Sequence, residues 1–233
     1  MFQGKRKAVT FSFDDGVTQD KRLIDIFNRY GLKCTFNINS GRLDEAKKLL
    51  CNGVTVAHVK PRAEEIAAIY KDHEIAGHTI SHPTLKTRSR SEIIREVEQD
   101  RLKLSEIAGY EVVGFAYPGG DHCLDEDVIR AVREGTKVKY ARKTTCTGTF
   151  ELPEDPINLY PTVQGSDFDR LMALGEEFIA LKPETPKLFY IWGHSYEFDI
   201  TGDGWSRFED FCRLISSRED IFYGTNTQCL CGE

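Results

Sequence analysis

The chain has 233 residues and an apolar content of 40%, enough for a sizeable core and compatible with one catalytic domain over residues 1–233. A formal net charge of −6 gives no sign of a nucleic-acid partner, and no apolar run approaches the length of a membrane span. The seven scattered cysteines are odd in number, which argues for reduced thiols over a disulfide framework. Residues 1–7 lack the apolar core of a signal peptide, so the expected location is cytoplasmic, or extracytoplasmic if a leader was removed.

Val9, Phe11 and Phe13 alternate with Thr10 and Ser12, the period-two pattern of a strand, and Asp14-Asp15-Gly16 ends it. Successive strand residues face opposite sides. Two adjacent carboxylates therefore serve one site only where the strand is ending and the alternation relaxes. A buried acid pair needs a positive partner, which a metal ion would supply; the alternative is a solvated turn. Thr18 is a candidate cap for a helix through Leu23, Ile26, Phe27 and Tyr30, stopped by Gly31. Residues 33–39 alternate again, giving strand, helix, strand, the unit of parallel sheets. Residues 43–50 read as a short helix and 53–59 as a short strand, with a local hairpin as an option.

A helix is expected over 61–71 and a strand over 74–77, leading into His78-Thr79-Ile80-Ser81-His82. A long helix over 91–108 takes Ser89 or Ser91 as its cap and Gly109 as its stop. Further strands are expected at 111–117, 138–142, 159–163, 188–192 and 221–223, and helices at 124–134, 168–181 and 208–215. Strands and helices alternate throughout, which points to an α/β barrel of parallel strands; an open doubly wound sheet is the alternative. In a parallel barrel the catalytic side chains sit at the C-terminal strand ends. Asp14 and Asp15, His78 and His82, the turn Tyr117 to Asp121, Arg142 and His194 all fall there. His78 and His82 are four apart, so a single turn would bring both imidazoles to one side, although Pro83 prevents a longer helix. A lone pair of this kind is more often structural, but beside an acid pair at another strand tip it becomes a candidate metal site.

Taken in order, these residues resemble the polysaccharide deacetylases, the NodB-homology or carbohydrate esterase family four. Ser12-Phe13-Asp14-Asp15-Gly16 is similar to the family's first motif, and His78-Thr79-Ile80-Ser81-His82 to its second. Phe115-Ala116-Tyr117-Pro118-Gly119-Gly120 stands where the third belongs, and Ile191-Trp192-Gly193-His194-Ser195 is similar to the fifth. The resemblance implies a distorted (β/α) barrel of about seven parallel strands. It also implies one divalent metal held by Asp15, His78 and His82: zinc first, with cobalt, nickel, manganese or iron also suited to such ligands. By the same resemblance Asp14 is the general base, a backbone N–H near Gly119 helps hold the oxyanion, and His194 protonates the departing amine. Tyr117, Gly119 and Trp192 would contact a carbohydrate substrate, and the reaction would remove its N-acetyl group.

Two departures stand out. Ala116 occupies a position where many members carry an arginine that braces the base; Arg142 is the candidate substitute, the other reading being an ordinary surface arginine. The family's fourth motif has no clean match. Trp192, Trp205 and Tyr196 are candidates to line the acetyl pocket, and Glu197 and Asp199 to orient His194. Rival functions are a catalytically silent carbohydrate-binding relative, a hydrolase of another C–N amide bond, a two-His, one-carboxylate iron oxygenase and a glycosidase. The glycosidase is disfavoured because its paired carboxyls sit ~5–9 Å apart across the bond, which adjacent residues do not readily achieve.

Overall fold

The computed structural model describes residues 2–232. A nine-residue strand, β1 (Lys7–Asp15), is buried along its whole length. It is followed by α1 (Asp20–Arg29) and β2 (Cys34–Ile38), then by a hairpin of β3 (Ala46–Cys51) and β4 (Val54–Val59). Next come α2 (Ala63–Ile69), β5 (Glu74–Gly77), α3 (Arg90–Ala108), β6 (Gly114–Ala116), α4 (Glu126–Gly135) and β7 (Tyr140–Arg142). β8 (Val163–Gln164), α5 (Phe168–Ala180), β9 (Lys187–Gly193), α6 (Gly204–Ile215), β10 (Ile221–Tyr223) and α7 (Asn226–Leu230) complete the order. The main sheet runs β7-β6-β5-β2-β1-β9-β8, with β10 against the start of β1, and every pair in it is parallel.

The sheet curls into a distorted barrel, and one extended segment joins its two edges. At one end Leu159 exchanges backbone bonds with β7 (Leu159 N to Ala141 O, 3.0 Å; Lys143 N to Leu159 O, 2.8 Å). At the other end Thr162 N donates to Tyr190 O and Gly165 N to Trp192 O of β9. The open doubly wound alternative is thereby set aside.

β1 shows why the sequence builds this frame. Its odd-numbered residues Val9, Phe11 and Phe13 belong to a large apolar cluster with the helices. Phe27 of α1 lies 4.7 Å from Phe11, and Phe208 of α6 lies 5.8 Å from Phe13. Its even-numbered residues Thr10, Ser12 and Asp14 face the barrel interior, where Thr10 meets Asn226 of α7 and the other two meet Asn37 of β2 and Arg142 of β7. The interior therefore carries a polar network toward the strand tips, with a smaller apolar cluster around Ala8, Leu188 and Tyr190 at its other end, and the helix layer holds the large apolar core. Among the described residues no helix is long and apolar enough to cross a membrane, and no disulfide joins any of the seven cysteines.

Residues 43–50 are not a helix. Residues 46–51 form β3, paired antiparallel with β4. The turn between them is Asn52-Gly53, both at positive φ (+49° and +80°), the two-residue connection that matches strand twist. Nor does Thr18 cap α1. The carboxylate of Asp20 takes the Val17 N–H at 3.0 Å instead, tying the turn to the helix start. α3 does begin on a reciprocal Ser89/Glu92 capping box and ends on Gly109 at φ +75°.

Phe208 is fully buried and stacks 4.4 Å from Phe198 while touching the rings behind β1. Phe208→Ala is expected to lower unfolding stability by about 3–5 kcal/mol, read from urea denaturation midpoints at unchanged m-value.

Candidate active site

The two carboxylates at the end of β1 part company. Asp14 stays on the inward face. Its Oδ1 accepts from Asn37 Nδ2 at 2.8 Å and from Arg142 Nη2. Arg142 is fully buried; its Nε donates to Ser12 Oγ at 3.2 Å, and its guanidinium lies over the Trp192 ring at 4.9 Å. The surface-arginine reading of Arg142 therefore fails. Burial alone would raise the Asp14 pKa, but the Arg142 charge, helped by His78 and His194, outweighs it and holds the group below 3.8.

Asp15 leaves the strand alternation at φ +79°, followed by Gly16 at +62°. A Cβ on Gly16 would stand 3.1 Å from Ile38 and in a disfavoured conformation, so glycine suits this turn. A left-handed aspartate costs ~1–3 kcal/mol and persists only where its surroundings enforce it. Here Lys60 Nζ donates to its backbone carbonyl, and His58 Nε2 stands 3.2 Å from its Oδ2. Burial opposes ionisation of Asp15, yet the His58 hydrogen bond and the charges of His194 and Lys60 bring its pKa well below 3.8.

β5 ends in the turn that carries both histidines, and Thr79 and His82 also lie at positive φ, +67° and +58°. The His78 N–H donates to Asp100 Oδ2 at 2.8 Å, and Asp100, wholly buried on α3, also takes the Ser40 N–H. His78 Nδ1 is 2.8 Å from the Ala116 carbonyl. A carbonyl only accepts, so Nδ1 carries the hydrogen and Nε2 keeps its lone pair. Burial drives His78 down to about 4 against the pull of Asp14, and drives His82 down as well, so both rings are neutral at pH 7. One donor atom from each of Asp15, His78 and His82 lies within 4.8 Å of the other two. Neutral imidazoles, a free Nε2 and an ionised carboxylate at that spacing fit a divalent first-row cation.

His194 follows β9. Its Nδ1 is 3.1 Å from Glu197 Oε1, and Glu197 is itself held by Gln164 and Ser166, both at 2.9 Å. Burial would lower the His194 pKa; the Glu197 charge and hydrogen bond, with the two aspartates beyond, reverse this and raise it to about 9. Asp14, Asp15, His78, His82, His194 and Trp192 all line one cavity of about 530 Å³.

Gly119 reaches the same cavity at φ +75° with bare backbone. Tyr117 does not belong there. Its ring is buried in a second apolar cluster and its hydroxyl donates to the Ile157 carbonyl, because β6 alternation turns it away from the mouth. Of the aromatics considered, Trp192 and Tyr196 line the cavity, whereas Trp205 packs in the helix core and donates to Asp199. Asp199 is thereby occupied away from His194, and Glu197 alone orients the ring. His58, Lys60, Asn37 and Asp100 carried no chemical motif in the sequence. His58 was detectable only as a neighbour of Val56 on one face of a strand, in a hairpin marked by Asn52-Gly53.

Residues 3–138 match the sequence profile of the family described as polysaccharide deacetylase. No curated protein sequence matches. Among solved structures, the backbone is similar to a family 4 carbohydrate esterase from Streptomyces lividans in complex with acetate. The TM-score is 0.58 at 12% identity, covering 95% of this chain and 93% of that one. It is similar to Puue allantoinase with a TM-score of 0.70 at 12% identity, covering 97% and 90%. It is also similar to a family 4 acetyl xylan esterase from Clostridium thermocellum in complex with a cobalt ion, with a TM-score of 0.59 at 16% identity, covering 97% and 91%. At these identities the likeness speaks for the fold.

Removing Arg142 would leave Asp14 buried without its counter-charge. Arg142→Met is expected to cost about 3–5 kcal/mol of stability at pH 7. Asp14 is depressed in the folded protein, so the contribution of the pair is fully present above 3.8 and is lost as pH falls through the lowered folded value. Denaturation curves from pH 7 down to pH 3 should show the deficit of the variant shrinking toward acid.

Proposed function

The chain belongs to the polysaccharide deacetylase family, and from that premise we propose that it is a metal-dependent hydrolase that removes an acetyl group from the nitrogen of an N-acetylated sugar or polysaccharide. The observation that carries this reading is the meeting, in one cavity, of a three-residue ligand set with a braced carboxylate and a carboxylate-oriented imidazole. Asp15, His78 and His82 would hold the divalent cation, zinc foremost. When bound, the metal supplies Lewis acidity, lowering the pKa of water and polarising the amide carbonyl.

The protein's own groups do the rest. Arg142 and Asn37 both occupy Oδ1 of Asp14, which leaves Oδ2 to take the proton of the attacking water. The same pair keeps Asp14 ionised and aimed. His194 carries its second proton on Nε2, because Nδ1–H is committed to Glu197, and delivers it to the departing nitrogen. Gly119 brings unencumbered backbone to the cavity, the place for a donor to the developing oxyanion. Trp192 and Tyr196, with ring centroids 5.7 and 5.0 Å from His194, wall the acyl group on that side.

A second reading, hydrolysis of another carbon–nitrogen amide bond, is favoured by one observation. The backbone fits an allantoinase with a TM-score of 0.70, against 0.58 and 0.59 for the two esterases. A silent carbohydrate-binding role has less support, because candidate base, acid and ligands are all in place. Acetate release from N-acetylglucosamine oligomers or peptidoglycan fragments, set against ring opening of a cyclic ureide, separates the two hydrolase readings.

Chelation is expected to abolish acetate release, and zinc or cobalt to restore it. Asp14→Asn should lower kcat by about 10²–10⁴-fold, as expected for a lost general base, with the far-UV spectrum unchanged. His194 is raised to about 9, so its acid form persists below that pH and activity should fall as pH rises past it. Glu197→Gln removes the cause of the rise, and the alkaline limb of the pH–rate profile should move toward neutrality.

A further inference from the structure

The β3–β4 hairpin has no part in the chemistry above, yet its last residues reach the floor of the site. Backbone bonds fix its base: Lys60 N donates to Glu45 O at 2.8 Å, and Thr18 N to Val59 O at 2.8 Å. The second bond locks the end of β4 beside the Asp15-Gly16 turn. His58 and Lys60 are each only 2% exposed. Within this pocket of the fold they have one common neighbour, Asp15.

His58 Nε2 lies 3.2 Å from Asp15 Oδ2. The carboxylate accepts and cannot donate, so Nε2 carries the hydrogen. His58 Nδ1 is buried and has no partner among the described residues. In this tautomer it is a bare lone pair, whereas the reverse tautomer would bury an unpaired N–H and set two acceptors against each other at Asp15. Lys60 Nζ adds a second hold. It donates to the Asp15 carbonyl and to Asn39 Oδ1 at 3.0 Å, and Asn39 Nδ2 in turn donates to the carbonyls of His78 and Thr79. One buried ammonium thus ties together the two left-handed turns that carry the candidate ligands.

We propose that His58 is a positioning residue for the metal ligand Asp15. It spends one lone pair of Oδ2 and, with Lys60 Nζ 3.7 Å from Oδ1, fixes the plane of the carboxylate whose remaining lone pairs serve the metal. The proposal rests on the reading that Asp15, His78 and His82 bind a divalent cation. It goes beyond that reading in assigning part of the affinity and geometry to a hairpin outside the family motifs.

The test is Co²⁺ titration of the metal-free protein, followed by calorimetry and by the visible absorption of the bound cobalt. His58→Ala should weaken binding about 10–100-fold, the usual effect of losing a partner of a metal ligand, and change the cobalt spectrum. His58→Gln, whose side-chain N–H can reach Asp15, should recover most of the affinity and the wild-type spectrum. His58→Leu, of similar bulk without a donor, should behave as His58→Ala and takes its place if the smaller side chain opens the hairpin. Thr55→Ala, on the exposed face of the hairpin, should bind as wild type. Wild-type affinity and spectrum in both His58→Ala and His58→Leu would overturn the proposal. Equal weakness of His58→Gln and His58→Leu would overturn it too, since the hydrogen bond would then not be the agent. Failure of the wild type to bind cobalt would instead remove the metal reading, and this proposal with it.

Discussion

Two adjacent carboxylates below the surface lose their water and repel each other, and the strand tips of this barrel are arranged around that problem. The fold solves it by divergence. Asp14 keeps the strand alternation and meets Arg142 inside the barrel. Asp15 breaks the alternation at φ +79° and meets His58 and Lys60 from the hairpin. Each acid has its own nearest basic partner, Arg142 for Asp14 and the His58–Lys60 pair for Asp15, while the His194 charge reaches both. That division gives two neighbours in sequence two different chemical characters.

The contacts that settle the acids also set the rest of the site. Arg142 bonds Ser12 and stacks on Trp192, so a single guanidinium links β1, β7 and β9. Asp20, raised to about 7 by its burial, accepts from Ser195 and Tyr70 and so ties the residue after His194 to the first helix. Asp100 does the same for His78 from α3. Three of the non-glycine residues at positive φ, Asp15, Thr79 and His82, belong to these turns. Such local strain persists because polar bonds from several elements enforce it.

Much of this was legible in the sequence because the motifs are local. The period-two run into Asp14-Asp15-Gly16, the spacing of His78 and His82 and the apolar strand before His194 each announce a strand end, and strand ends of a parallel barrel gather at one mouth. The parts that were not legible arise from pairing across long separations. His58 and Asp15 are 43 residues apart, and their contact depends on hairpin register. In residues 46–51 the run Lys-Lys-Leu-Leu fits a short helix as well as a strand, and only the Asn52-Gly53 pair tips the balance. Tyr117 was misplaced because a motif position says which residue is present and not which way its side chain points. Residues 159–163 read as a strand, but only Val163–Gln164 (β8) is regular strand, and nothing in that run says that it joins both edges of the sheet.

The origin of Arg142 has a wider bearing. Ala116 stands at the second position of the stretch read as the third motif, and the cation that faces Asp14 comes from the next strand of the sheet, where Ala116 and Arg142 are register partners. In this chain the cation reaches Asp14 from β7, one strand over from Ala116. A comparison confined to the residues of that motif would find alanine at 116 and miss the guanidinium that faces Asp14. Inventories of working parts in distant homologues are better taken by where a functional group arrives in space than by the alignment column from which it departs.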